Sequence, residues 1–250
     1  MDTINWIILL AVSFFSAIIG TMVGMAMVFV VPALLAMGVP IHSAVATGRF
    51  SMLGITLGNF SRFTKTGKIR KKYILVFAIA GAVGALAGAS FLKGLDERVL
   101  KITIGIFMIL ISVLAVFDEW IKSRFQNKGK ISKRHHFFST IGGLIIGAYI
   151  GVIGGGGATV VILMLVLIYG LSYHDAVANQ KAITMPMSLI ATAVFIYQGM
   201  VEYRIGVPLL LVNAAGGWVG AGLIMKFKPI WLKIVIVPIV ICLGIWLIFF

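Results

Sequence analysis

Acidic residues are scarce in this chain. Its 250 residues include only seven: Asp2, Asp96, Glu97, Asp118, Glu119, Asp175 and Glu202. Each falls in a hydrophilic gap or at the end of an apolar run, and none sits in the middle of one. Carriers of cations or protons usually place a carboxylate inside the membrane to pair the ion, so the pattern argues against that class. With no Asp pair and no His-Glu-x-x-His helix, an intramembrane protease is also unsupported. Cysteine is scarcer still. Cys242 stands alone in an apolar run, which leaves no internal disulfide and no thiolate metal site. Charged residues make up 11% of the chain and hydrophobic residues 61%. A soluble domain carries about 25% charged residues, so lipid must be the solvent for most of this surface. No Lys or Arg precedes the first apolar stretch. The basic start of a signal peptide is therefore missing, and the stretch is expected to be retained.

What charge there is, is basic. The formal net charge is +14. The lysines and arginines cluster in short gaps between apolar runs, as cytoplasmic loops do under the positive-inside rule, so they mark topology and no nucleic-acid partner is expected. Apolar segments lie near 4–37, 43–63, 73–92 and 99–117. A hydrophilic linker at 118–136 follows, carrying Lys122, Arg124, Lys128, Lys130, Lys133 and Arg134 and read as cytoplasmic. Segments near 137–169, 178–197, 206–225 and 231–250 complete the chain. The expected fold is an all-α polytopic membrane protein with a first transmembrane repeat at 1–117 and a second at 137–250.

The two halves align without a gap at an offset of 132. Gly24 falls on Gly156, Gly38 on Gly170, Gly67 on Gly199, and Gly84 and Gly88 on Gly216 and Gly220. The run His42-Ser43-Ala44-Val45-Ala46 falls on His174-Asp175-Ala176-Val177-Ala178, and Leu100-Lys101-Ile102 on Leu232-Lys233-Ile234. Apolar composition alone would not match His, Gly and Lys in one register, so an internal repeat of the kind found in secondary transporters is expected. Positive charge lies at 64–72 in the first half but has moved to 226–233 in the second, which favours an inverted copy. Inversion requires an odd number of crossings per half. The glycine-interrupted stretches 4–37 and 137–169 would then each be a re-entrant hairpin or two short helices. A single long broken helix in each would instead make the halves parallel.

Two basic residues within apolar segments, Arg49 and Lys181, occupy equivalent repeat positions. Each either faces a cavity, where the pair would favour a doubly charged oxyanion, or snorkels to headgroups. Thr47 and its counterpart Asn179 lie close by, with Gln180 beside Lys181 and with Ser51, Asn59, Thr184 and Ser188 further along. Such groups could bind a desolvated anion or join helices. Gly154, Gly155, Gly156 and Gly157, and more weakly the break 20–24 ending at Gly24, could form a backbone N–H nest or aim helix starts at an anion. Close helix packing is the alternative, and it is the expected role of the other glycine patches, Gly81, Gly84 and Gly88 and Gly216, Gly217, Gly220 and Gly222. No nucleophile–base set, metal cluster or cofactor motif stands out.

The glycine break, the apolar run and then Gly-x-x-x-His-x-Ala-Val-Ala-Thr/Asn appear twice, as Gly24, Gly38 and 42–47 and as 154–157, Gly170 and 174–179. In that order and spacing they resemble the TauE/SafE sulfite exporter family over nearly the whole chain. The resemblance implies a carrier in an inner or plasma membrane for sulfite, thiosulfate, sulfonates or related organic acids. Its partners would be the lipid bilayer and a small sulfur-containing anion, and a homodimer is a compatible assembly. The expected site joins residues 154–157, Asn179, Gln180 and Lys181 with Thr47, Arg49 and Gly24. An anion channel and a non-transporting membrane scaffold are the alternatives. Two departures set the halves apart: Gly24-Met25-Ala26 is poorer in glycine than its counterpart, and Gly48-Arg49 stands opposite Gln180-Lys181.

Overall fold

The computed structural model describes residues 2–63, 71–125, 133–171, 173–223 and 230–249. Gly67, the basic residues Lys65, Lys68, Arg70, Lys128, Lys130, Lys226 and Lys228, and part of the linker lie outside them. The described residues form α1 (Thr3–Val23), α2 (Met27–Ala36), α3 (Ile41–Phe63), α4 (Lys71–Leu92) and α5 (Glu97–Phe125). They continue with α6 (Lys133–Val152), α7 (Gly157–Tyr169), α8 (Tyr173–Tyr197), α9 (Tyr203–Leu223) and α10 (Ile230–Phe249), with no strand among them. Three helices, over Thr3–Met22, Leu75–Leu92 and Tyr203–Leu223, are long and apolar enough to cross a membrane. Large apolar side chains such as Phe15, Phe91, Ile145, Leu211 and Val235 point outward. A soluble protein could not tolerate so broad an apolar surface; this is an all-α membrane protein.

Both glycine-interrupted stretches are helical hairpins. Helix α1 stops at Gly24, whose φ of +88° is left-handed and whose N–H bonds back to Gly20 O at 2.9 Å. Beyond this turn Gly20 lies against Ala26, while Leu9 packs with Val30 and Leu34, so α2 runs back along α1. In the second stretch Tyr149 and Ile150 meet Gly157, Gly142 meets Met164, and Ser139 hydrogen-bonds Tyr169, so α7 likewise returns along α6. At about 1.5 Å per residue the 10-residue α2 is about 15 Å long, half the ~30 Å hydrocarbon layer. Neither break is a simple kink.

Close glycine contacts fix the helix directions. Gly143, Gly147 and Gly151 of α6 meet residues around Ala80, Gly81 and Ala85 of α4 in the same order, so the two run parallel. Gly54 and Gly58 of α3 meet Leu210 and Ala214 of α9, while Gly216 and Gly220 of α9 meet Phe14 and Ile18 of α1. Helices α1, α3 and α9 therefore share one direction. Gly81 and Ser90 of α4 meet Met187 and Gln198 along α8, which places α4, α6 and α8 in a second set. Thr47 and Gly206, near the starts of α3 and α9, lie at the end where α8 finishes, so the two sets oppose each other.

Polar groups between these helices satisfy one another. Asn213 of α9 donates to the Ser51 carbonyl and hydroxyl at 3.1 Å and accepts from Ser13 of α1 at 2.8 Å. Asn59 reaches Thr21 at 3.4 Å. His42 Nε2 lies 2.9 Å from the Leu95 carbonyl and ties the start of α3 to the α4–α5 turn. These are the helix-joining contacts expected where neither lipid nor water offers a partner.

Candidate functional site

The tips of the two hairpins touch at the centre of the fold. A side chain at Gly24 would meet Ala158 and Thr159 at the start of α7. One at Gly155 would meet Met27 and Val28 at the start of α2. Each hairpin thus presents a glycine to the other's returning helix. Between the tips and the middles of α3 and α8 lies a cavity of about 130 Å³. A cavity of ~150 Å³ accepts a benzene-sized guest, so this one suits a small ion. Its lining includes the polar Arg49, Thr56 and Ser188, glycines of both tips, and the apolar Met27, Met52 and Ile55. Two counterpart pairs at the 132 offset, Ala26 with Ala158 and Thr56 with Ser188, line it together.

Arg49 dominates the chemistry. It reaches the cavity from the third turn of α3 and is only 4% exposed, and its Nη2 is buried with no hydrogen-bond partner among the described residues. Its guanidinium lies against Gly154, where a Cβ would overlap the guanidinium carbon and both terminal nitrogens. The acids whose side chains are described, Asp2, Asp96, Glu97 and Glu202, are all exposed at helix ends. A buried cation without a full set of partners is costly. An anion in the cavity would relieve that cost.

The structure sorts the residues singled out from the sequence. Arg49, Gly24 and Gly154 line the cavity together. Gly155 holds its tip in shape, its carbonyl accepting a hydrogen bond from the Tyr149 hydroxyl. Gly156 packs on Ile111 of α5, and Gly157 opens α7 against Ile150. Thr47 is spent elsewhere: its hydroxyl accepts the Glu202 N–H at 2.9 Å and fixes the turn into α9. Gln180 donates to Thr184 within α8 at 2.8 Å. Asn179, Gln180 and Lys181 are not among the residues lining this cavity, so Arg49 and Lys181 do not share it. Sequence reasoning missed Thr56, Met27, Met52 and Tyr149. Thr56 alone carried a usable signal, since the repeat offset matches it to Ser188.

The sequence model of the sulfite exporter TauE/SafE family matches residues 9–247. The chain belongs to this family. A probable membrane transporter protein of Haemophilus influenzae is 22% identical over 218 residues, covering 87% of this chain and 84% of its own. The probable membrane transporter protein YdhB of Bacillus subtilis is 23% identical over 198 residues, 79% of either chain. The probable membrane transporter protein ORF9 of a Sinorhizobium species is 24% identical over 214 residues, 85% of this chain and 80% of its own. The family description and these names speak of membrane transport, not of catalysis.

Proposed function

We propose that this TauE/SafE protein is a multi-pass secondary transporter that moves a small sulfur-containing anion, such as sulfite, thiosulfate or an organosulfonate, across a bacterial or archaeal plasma membrane. The observation that carries the reading is the buried Arg49 guanidinium, its Nη2 without a partner among the described residues, in an ion-sized cavity where two hairpin tips meet. Membership of a family described as sulfite exporters supports the substrate class. The helix directions support alternating access by two inverted halves. Counterparts α1 and α6, α3 and α8, and α4 and α9 each belong to opposed sets, as an inverted pair requires. Rocking one half against the other would part the tips toward one side of the membrane and then the other, with Arg49 near the pivot. Purified protein in liposomes tests this. Flux of sulfite, thiosulfate or a sulfonate is expected, and Arg49→Gln should remove it. Accumulation against a gradient separates a carrier from a channel. A folded, reconstituted protein that moves none of these anions would refute the reading.

A further inference from the structure

The paired cations of the sequence suggest a doubly charged substrate, but the cavity holds one of them. Among the described residues, Arg49 is the only charged one in its lining. Building on the transport reading above, we propose that this site selects a singly charged anion bearing a small apolar group, a short-chain organosulfonate being the fitting class, over a doubly charged oxyanion of the same size.

The first argument is electrostatic. A monoanion against Arg49 makes a neutral pair, whereas a dianion leaves a net negative charge in a poorly polarisable interior. The cost of stripping water from the ion itself also rises with the square of its charge, about fourfold for a dianion over a monoanion. The first turns of α2 and α7, which reach the cavity through Met27 and Ala158, attract either anion. That attraction grows only linearly with charge, so the square dominates. The hydroxyls of Thr56 and Ser188 complete a modest donor set, too small to replace the hydration shell of a dianion.

The second argument is shape. Besides Arg49 and two hydroxyl residues, the lining of about 130 Å³ includes the apolar side chains of Met27, Met52 and Ile55. A fully oxygenated ion such as sulfate has a fourth charged oxygen, for which the apolar lining side chains supply no donor. A sulfonate would set its alkyl group against those apolar side chains and keep three oxygens for the guanidinium and hydroxyls. The methionine side chains can adjust to alkyl groups of somewhat different shape.

Methanesulfonate and sulfate make a clean comparison, because they share a tetrahedral sulfur and the same heavy-atom count and differ by one charge. Their affinities for the purified full-length protein would be measured by calorimetry at neutral pH, with sulfite as a third anion. Methanesulfonate is expected to bind at least about tenfold more tightly than sulfate, and Arg49→Gln to lose that binding. The comparison of anions is made on the unaltered protein, so it stands even if the variant does not fold. Sulfate binding as tightly as methanesulfonate, or sulfite binding where methanesulfonate does not, would overturn the charge selection and leave anion transport standing. If none of the three binds to folded protein the charge selection falls, and if thiosulfate does not bind either, the transport reading falls with it.

Discussion

At the scale of single residues, the site depends on what is absent beside Arg49. Gly154 has a φ of +72° and lies against the guanidinium. Gly38 has a similar φ of +81°, but nothing lies within 4 Å of where its side chain would be. Alanine at either position should cost about 1–2 kcal/mol of stability through the left-handed backbone. Only Gly154→Ala should also push Arg49 aside and weaken anion binding, by about tenfold or more. Melting temperatures and sulfite titrations of the two variants separate these effects. Equal affinity loss in both would mean that the Gly154 contact does not hold the guanidinium. A second residue-scale contact is the Tyr149 hydroxyl on the Gly155 carbonyl. Tyr149→Phe leaves a buried carbonyl without its donor and should cost about 1–3 kcal/mol in a thermal melt. Sequence alone made Arg49, Gly24 and Gly154 visible, because a cation or a glycine in an apolar run needs a reason. It could not make Tyr149 or Met52 visible, since tyrosines and methionines are ordinary packing residues. Nor could the repeat offset show that Asn179, Gln180 and Lys181 would stay out of the cavity. Each residue turns a helix by about 100°, and which face meets the cavity is decided by tertiary packing.

At the scale of elements, the protein is joined by backbones in close approach. Lipid gives helices no hydrophobic reason to associate, so packing and hydrogen bonds must hold them. Alanine Cβ atoms at Gly84 and Gly88 on α4, or at Gly147 and Gly151 on α6, would overlap backbone atoms of the facing helix. Gly147→Ala is therefore expected to lower stability by about 1–3 kcal/mol. Gly94→Ala, in the turn after α4, has its nearest foreign atom at 3.8 Å and should change stability by no more than about 0.5 kcal/mol. Thermal melts in detergent compare the two, and a tolerant Gly147 would mean that the α4–α6 interface is looser than described. The packing role of Gly84, Gly88, Gly216, Gly217 and Gly220 was legible from their spacing. The hairpins were legible only as a question. Each interrupted stretch was too long for one crossing and tight for two, and hydropathy does not record whether a chain turns back. The left-handed turn at Gly24 and the pairing of Ser139 with Tyr169 answer it.

At the scale of the whole molecule, the helix directions convert the uneven charge of the loops into a sidedness. Helices α3 and α9 end where α4 and α6 begin. The basic segments 64–72, 118–136 and 226–233 therefore attach to helix ends on one side of the bundle. The α4–α5 turn and the start of α9 belong to the other side, with Asp96, Glu97 and Glu202. Under the positive-inside rule the basic side faces the cytoplasm. Gly94 and Lys226 are counterparts at the 132 offset, so they decide between the two architectures. Inverted halves place them on opposite faces of the membrane, and parallel halves place them on the same face. With Cys242 replaced by alanine, single cysteines at these positions can be challenged in intact cells with a maleimide that does not cross membranes. Gly94→Cys should react from outside, while Lys226→Cys should react only after the membrane is opened. Labelling of both from the same side would make the halves parallel and remove the geometric basis for rocking about Arg49. Opposite labelling would leave the two hairpins entering from opposite faces to meet at the anion cavity, as alternating access about a central site requires.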